Sequence, residues 1–212
     1  MGIQTRYLLL FCEICRMVAT LSVAVPKVKL KHPPLHIYRM GDKVLRQPAK
    51  RISQVNDEIR QLARDMLQTM YSFDGIGLAA PQVGIPKRMI VVDLYPDKPE
   101  VPPLVLINPE IREYIGEAVA GQEGCLSIPG VFCEVVRPEG IVVSFKDETG
   151  RPRTLRADDL LARVIQHEID HLNGVLFVDH VENELVLDQE LRKHGFQMQD
   201  VQRKGKPSAV PR

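Results

Sequence analysis

The sequence predicts an α+β fold, with short antiparallel β-sheets surrounding a buried central helix, an N-terminal outer helix, and a C-terminal helix or tail. Three observations carry that prediction. Residues 56–73 place Ile59, Leu62, Ala63, Met66, Leu67 and Met70 at the spacing of an amphipathic helix. Residues 89–145 hold short β-branched or apolar runs separated by Pro, Gly and Asp clusters, which is the pattern of strands and turns. Residues 158–173 are apolar on most sides, as a helix inside a core must be.

The elements follow in order. Residues 1–33 form a leader. Its apolar stretch, residues 7–25, carries Glu13 and Arg16. Each charge near the centre of a membrane helix costs roughly 2.5–3.5 kcal/mol, so no span is expected. Glu13 also interrupts the apolar stretch that a signal peptide needs, and Ser is too scarce for a typical transit peptide. Arg6 occupies the Ser/Thr position of the myristoylation pattern. One reading is that translation starts at Met17. Residues 27–34 are basic and end in Pro, as a loop does. Asn56 is a suitable N-cap for the first helix. Residues 74–82 contain Gly75, Gly77 and Pro81 and read as a loop, without the Lys-Ser/Thr of a phosphate loop.

Strands are expected at residues 89–93, 105–107, 132–136 and 141–145, with a hairpin loop at 147–152. The buried helix should start at Asp158 or Asp159 and stop at Gly174. A short extended run at 175–178 leads into a charged segment, 182–202, that is helical over 182–197. Residues 203–212 are basic and expected to be a disordered tail. The catalytic domain is thus placed at 34–181, with no internal repeat.

Composition narrows the function. The 212 residues are 44% hydrophobic and 26% charged, with a net charge of +1, which is ordinary for one soluble domain. That balance gives no sign of a DNA-binding or membrane-surface protein. Trp is absent and aromatics are few, so stacking on single-stranded nucleic acid is not expected. Four Cys (12, 15, 125 and 133) are too sparse for a disulfide scaffold, and a reduced, cytoplasmic setting follows. Cys12 and Cys15 form a C-x-x-C with no second ligand pair and no following helix of the redox type.

The buried helix carries His167-Glu168-Ile169-Asp170-His171, an H-E-x-x-H motif. Residues four apart lie on one helix face, so both imidazoles can meet one divalent ion. Glu168, about 100° around the axis, can act as a base toward a water there. The use of this pattern is metal-assisted hydrolysis at a carbonyl. Packed imidazoles satisfying backbone groups would be the plain structural alternative.

A catalytic metal wants a third protein ligand. The continuation reaches Gly174, but Phe177 stands where one protease class has a third His. A later carboxylate (Glu182, Glu184 or Glu190) would suit another protease class. Cys125 in its Gly- and Pro-flanked loop is the remaining candidate. The residues alone leave these open. Leu160, Val164 and the stem of Arg163 share the helix face of the histidines and predict an apolar surface beside the ligands.

Three segments stand in order: Gly75-Ile76-Gly77-Leu78-Ala79-Ala80-Pro81-Gln82, Glu123-Gly124-Cys125-Leu126-Ser127 and Gln166-His167-Glu168-Ile169-Asp170-His171-Leu172. Together they resemble the three motifs of the peptide deformylases, and the likeness runs from about residue 34 to 181. Pro129-Gly130-Val131-Phe132 resembles the cyanobacterial and plastid branch.

The resemblance implies a monomeric α+β hydrolase that removes formyl groups from N-formylmethionyl nascent peptides. It implies Cys125, His167 and His171 as ligands of one divalent metal, ferrous iron first, with zinc, nickel and cobalt as alternatives. It further implies that Glu168 is the base. Gln82 and the Leu126 N–H would hold the oxyanion, and Gly77 would contact the substrate backbone. Gly75, Ile76, Phe132, Leu160, Arg163 and Val164 would form the pocket, and Glu123–Arg137 a structural ion pair. Phe132 departs from the Arg found in much of the family. The bacterial cytoplasm is the expected location, or a plastid or other organelle if the leader is a transit peptide. Two rivals remain: an endopeptidase using a later Glu, and a metal-bound binding module. The basic tail reads as solvated, with transient ribosome contact as its other use.

Overall fold

The structure, a computed structural model, describes residue 23 and residues 25–202. Cys12, Cys15, Met17 and the basic tail from residue 203 lie outside the described residues, as do the readings placed on them. Three α-helices and five strands are described: α1 (Asp57–Ser72), β1 (Gly77–Ala79), β2 (Met89–Val92), β3 (Leu104–Cys125), β4 (Ile128–Lys146), β5 (Pro152–Asp158), α2 (Asp159–Leu172) and α3 (Glu184–Lys193). The strands form one antiparallel sheet in sequence order. The architecture is α+β, as expected. No helix among the described residues is long and apolar enough to cross a membrane.

Local chemistry explains the helix ends. Asn56 Oδ1 accepts from the Ile59 N–H at 3.1 Å, satisfying one of the first-turn donors, and Asp57 and Glu58 suit the positive end of the helix. Asp158 is the N-cap of α2 by position but makes no side-chain capping bond. At the other end Gly174 takes φ +74°, and Val175 N–H bonds to Asp170 O. A Cβ on Gly174 would stand 2.7 Å from Arg46 O, so both conformation and space require glycine there.

The strands differ from expectation. The runs at 105–107, 132–136 and 141–145 are parts of two long strands, β3 and β4, which pair from Ile107↔Lys146 to Cys125↔Ile128. Register shifts between Ile107 and Glu110, between Ile111 and Glu113, and between Ile115 and Ala118 absorb Pro109 and Gly116 as bulges, so these residues bend the ladder without ending it. β5 was not expected, because an Arg-rich edge strand lacks an apolar alternation. β1 lies inside the expected Gly-rich loop. The expected extended run at 175–178 instead enters a 3-10 turn, Phe177–His180.

α1 buries Ile59, Ala63, Met66, Leu67 and Met70 against Leu78, Met89 and Val91. α2 buries Ala162, Val164, Ile165 and Leu172 against Ile90, Val92, Leu106, Ile141 and Val143. A third cluster joins Leu187 and Leu191 of α3 to Ile128, Val131 and Val135 of β4. The helix with the H-E-x-x-H motif is therefore a buried, central element. Ahead of residue 34 the chain is fastened to the domain. Lys27 Nζ sits 2.6 Å from Asp93 Oδ2 and donates to the carbonyls of Tyr95, Lys98 and Val101.

Candidate metal centre

β3 ends at Cys125, where the chain turns back into β4, and this turn faces α2. Cys125, His167 and His171 each offer a ligand atom, and the three atoms lie within 4.8 Å of one another. Cys125 Sγ is 3.2 Å from His171 Nε2. Around a tetrahedral ion with metal–sulfur near 2.3 Å and metal–nitrogen near 2.0 Å, sulfur and nitrogen would stand about 3.5 Å apart. The Cys125–His171 pair therefore comes within a few tenths of an ångström of that spacing, and His167 completes a soft donor set whose atoms all lie close enough to converge on one such ion. Among the described residues none of Glu182, Glu184 and Glu190 belongs to this group. Glu190 pairs with Lys193 on α3. Phe177, at the position of the third His in one protease pattern, is buried and stacks on the His167 ring at 5.9 Å.

Buried charges orient His167. His167 Nδ1 donates to Glu123 Oε2 at 2.9 Å, which leaves its Nε2 lone pair for the site. Arg137 grips both oxygens of Glu123, at 2.6 and 2.9 Å, so the expected ion pair is present. Arg137 also donates to Asp170, which accepts from His180 as well. Burial works against the Glu123 carboxylate, but the bonds from His167 and Arg137 outweigh it and hold its pKa well below the usual carboxylate range. Burial would also lower His167, yet Cys125 and Glu123 raise it, so this pocket attracts positive charge. His171 is lowered by burial and by its His167 neighbour and stays neutral, as a ligand must.

The Gln82 amide has one orientation. Its Oε1 accepts from the Ala79 N–H at 2.8 Å, so its NH2 points into the site, toward Ser127 Oγ at 3.2 Å and Cys125 Sγ at 3.4 Å. Glu168 is buried, and its Oε2 has no hydrogen-bond partner among the described residues. Burial pushes its carboxyl up to about 7. A Cβ on Gly77 would lie 2.5 Å from Glu168 Oε1, so glycine here makes room for the acid.

A cavity of about 600 Å³ opens beside these groups. Gly75, Ile76, Gly77, Gln82, Cys125, Leu126, Phe132, Leu160, Arg163, Val164, His167 and Glu168 all line it. Every proposed pocket residue is thus brought to one place. Sequence reasoning missed Phe73, Asp74 and Gln122 on the same wall. Nothing in a helix end or a solvent-facing strand residue marks them. His180 was missed too, although a histidine shortly after the motif helix is a usable signal.

Comparisons agree with this geometry. The polypeptide deformylase family profile matches residues 34–185. A peptide deformylase of Microchaete diplosiphon is 65% identical over 85% of this chain and 96% of that protein. Peptide deformylase 1 of a Nostoc species is 64% identical over 85% of this chain and 96% of that protein. The crystal structure of a peptide deformylase from Synechococcus elongatus in complex with actinonin superposes with a TM-score of 0.84 at 61% identity, covering 85% of this chain and all of that one. With a Cys–His–His donor set beside a buried Glu, and this likeness along most of its length, the chain belongs to the peptide deformylase family, whose function is removal of the N-terminal formyl group.

Proposed function

We propose that this protein deformylates N-formylmethionyl nascent polypeptides, using ferrous iron held by Cys125, His167 and His171. The observation that carries the reading is the partnerless oxygen of Glu168, buried beside three converging ligand atoms. A thiolate with two imidazoles suits iron or zinc far better than magnesium. When bound, the dication supplies positive charge that acidifies a water and polarises the formyl oxygen.

The remaining chemistry belongs to the chain. Glu168 takes the proton as water attacks the formyl carbon, then delivers it to the departing amine, so formate and a free amino terminus leave. The Gln82 NH2 and the Leu126 N–H donate to the oxygen that gains charge. Gly77 lets the substrate backbone approach. Ile76, Leu160, Val164 and the stem of Arg163 receive the Met side chain, while Gly75 and Phe132 border the opening. The protein acts as a monomer. Relatives from cyanobacteria support a bacterial cytoplasmic setting over a plastid.

The metal is tested by anaerobic loading with iron, zinc, nickel or cobalt and assay of formate release from a formyl-Met tripeptide. Iron should give the fastest turnover and lose it in air, because a thiolate beside ferrous iron oxidises readily. Zinc equal to iron under anaerobic conditions would refute the choice of metal. Cleavage of a peptide bond in place of formate release would point to the endopeptidase reading.

A further inference from the structure

Arg163 lies four residues before His167, on the same face of α2. Its side chain is only 13% exposed, and it lines the cavity. The guanidinium has three fixed acceptors. Nη1 donates to Glu123 Oε1 and to Val135 O, each at 2.9 Å, and Nη2 donates to Val119 O at 2.8 Å. Gly121 supplies the space, since a Cβ there would stand 2.8 Å from the Arg163 Cζ.

Glu123 is the residue that orients His167, and two guanidiniums hold it. Arg137 divides its donors between Glu123 and Asp170. Arg163 therefore gives Glu123 a second guanidinium, one that Asp170 does not share. Arg137 is not part of the cavity wall, whereas Arg163 is.

We infer that Arg163 is a positioning residue, its guanidinium fixing Glu123 and through it the metal ligand His167, while its stem forms the wall for the first side chain of the substrate. Ligand geometry and pocket shape then share one support. The inference rests on the ligand set and pocket proposed above.

Arg163→Met keeps an unbranched apolar stem and removes the fork, which separates the two roles. The probe is cobalt(II) alone, measured by competition with a chromophoric chelator and by its d–d absorption bands. Supporting contacts of this kind are typically worth about 10–100-fold in metal affinity. Arg163→Met should weaken cobalt binding by about tenfold or more and shift the bands. It should lower kcat on a formyl-Met tripeptide and leave KM nearly unchanged, while Arg163→Ala should also raise KM. Arg163→Lys keeps the charge without the fork and should fall between the parent and the Met variant. Gly121→Ala changes no residue that lines the cavity but displaces the Arg163 guanidinium, and should weaken cobalt binding even if the Met variant does not fold. Parental cobalt affinity and spectrum in folded Arg163→Met, or in Gly121→Ala, would overturn the inference and leave Arg163 as cavity lining only. A parent that binds cobalt and releases no formate would defeat the proposed function, and the affinity comparison would still decide the role of Arg163.

Discussion

At the scale of single residues, His167 and Gln82 in the centre each have an orientation set by a named partner. Glu123 fixes His167, and Ala79 fixes the Gln82 amide. Removing one preorganised donor to a developing oxyanion typically costs about 10²–10³ in kcat. Gln82→Leu should therefore lose turnover on that order in steady-state assays while binding metal normally. Cys125→Ser should lose metal by elemental analysis, whereas Glu190→Gln should retain it. The opposite pattern would move the third ligand to α3. Glu168 also sets the acid limb of the pH profile. Its carboxyl stands at about 7 in the protein alone. Acting as base, it must be ionised, so kcat/KM rises with pH through its pKa. The positive charge of a bound dication lowers that pKa, which places the limb of the loaded enzyme below 7. A limb at higher pH would assign the titration to another group.

At the scale of elements, α2 is a centre-carrying helix held by its neighbours more than by its own start, since Asp158 makes no capping bond. Its C-terminal stop is demanding. Gly174→Ala meets both a left-handed backbone and the Arg46 carbonyl, and should cost about 1–3 kcal/mol in denaturant unfolding. α1 contrasts with it: Asn56→Ala removes one cap and should cost about 1 kcal/mol without altering turnover. Both caps were legible beforehand, because capping and helical periodicity are short-range effects. The strands were legible only in part. Pro109 and Gly116 look like chain breaks in one dimension, and only the β3–β4 ladder shows that bulges absorb them. The polar edge strand β5 has no apolar signature to read.

Across the whole molecule, the legible part of the site was what one helix carries. His167, Glu168 and His171 announce themselves by spacing. Cys125, on a distant strand end, was selected among the candidates only through likeness to a family, because no local pattern links it to α2. Arg163 was read as a stem beside the ligands, but its guanidinium contacts depend on how β3, β4 and α2 meet. Lys27 was hidden for the same reason: a residue of a basic, Pro-ended loop reads as solvated, yet it is buried against Asp93. Breaking a buried ion pair from one side typically costs about 3–5 kcal/mol. Lys27→Ala should therefore destabilise the protein by an amount of that order in thermal unfolding, and a change near zero would show the contact to be incidental.

The most direct test compares formate release from a formyl-Met tripeptide by the iron-loaded parent and by Glu168→Ala, with metal content measured in both. The account predicts release by the parent and a loss of at least about 10²-fold in the variant at equal metal content. A folded, fully loaded parent that releases no formate, or a variant that matches it, would contradict the account.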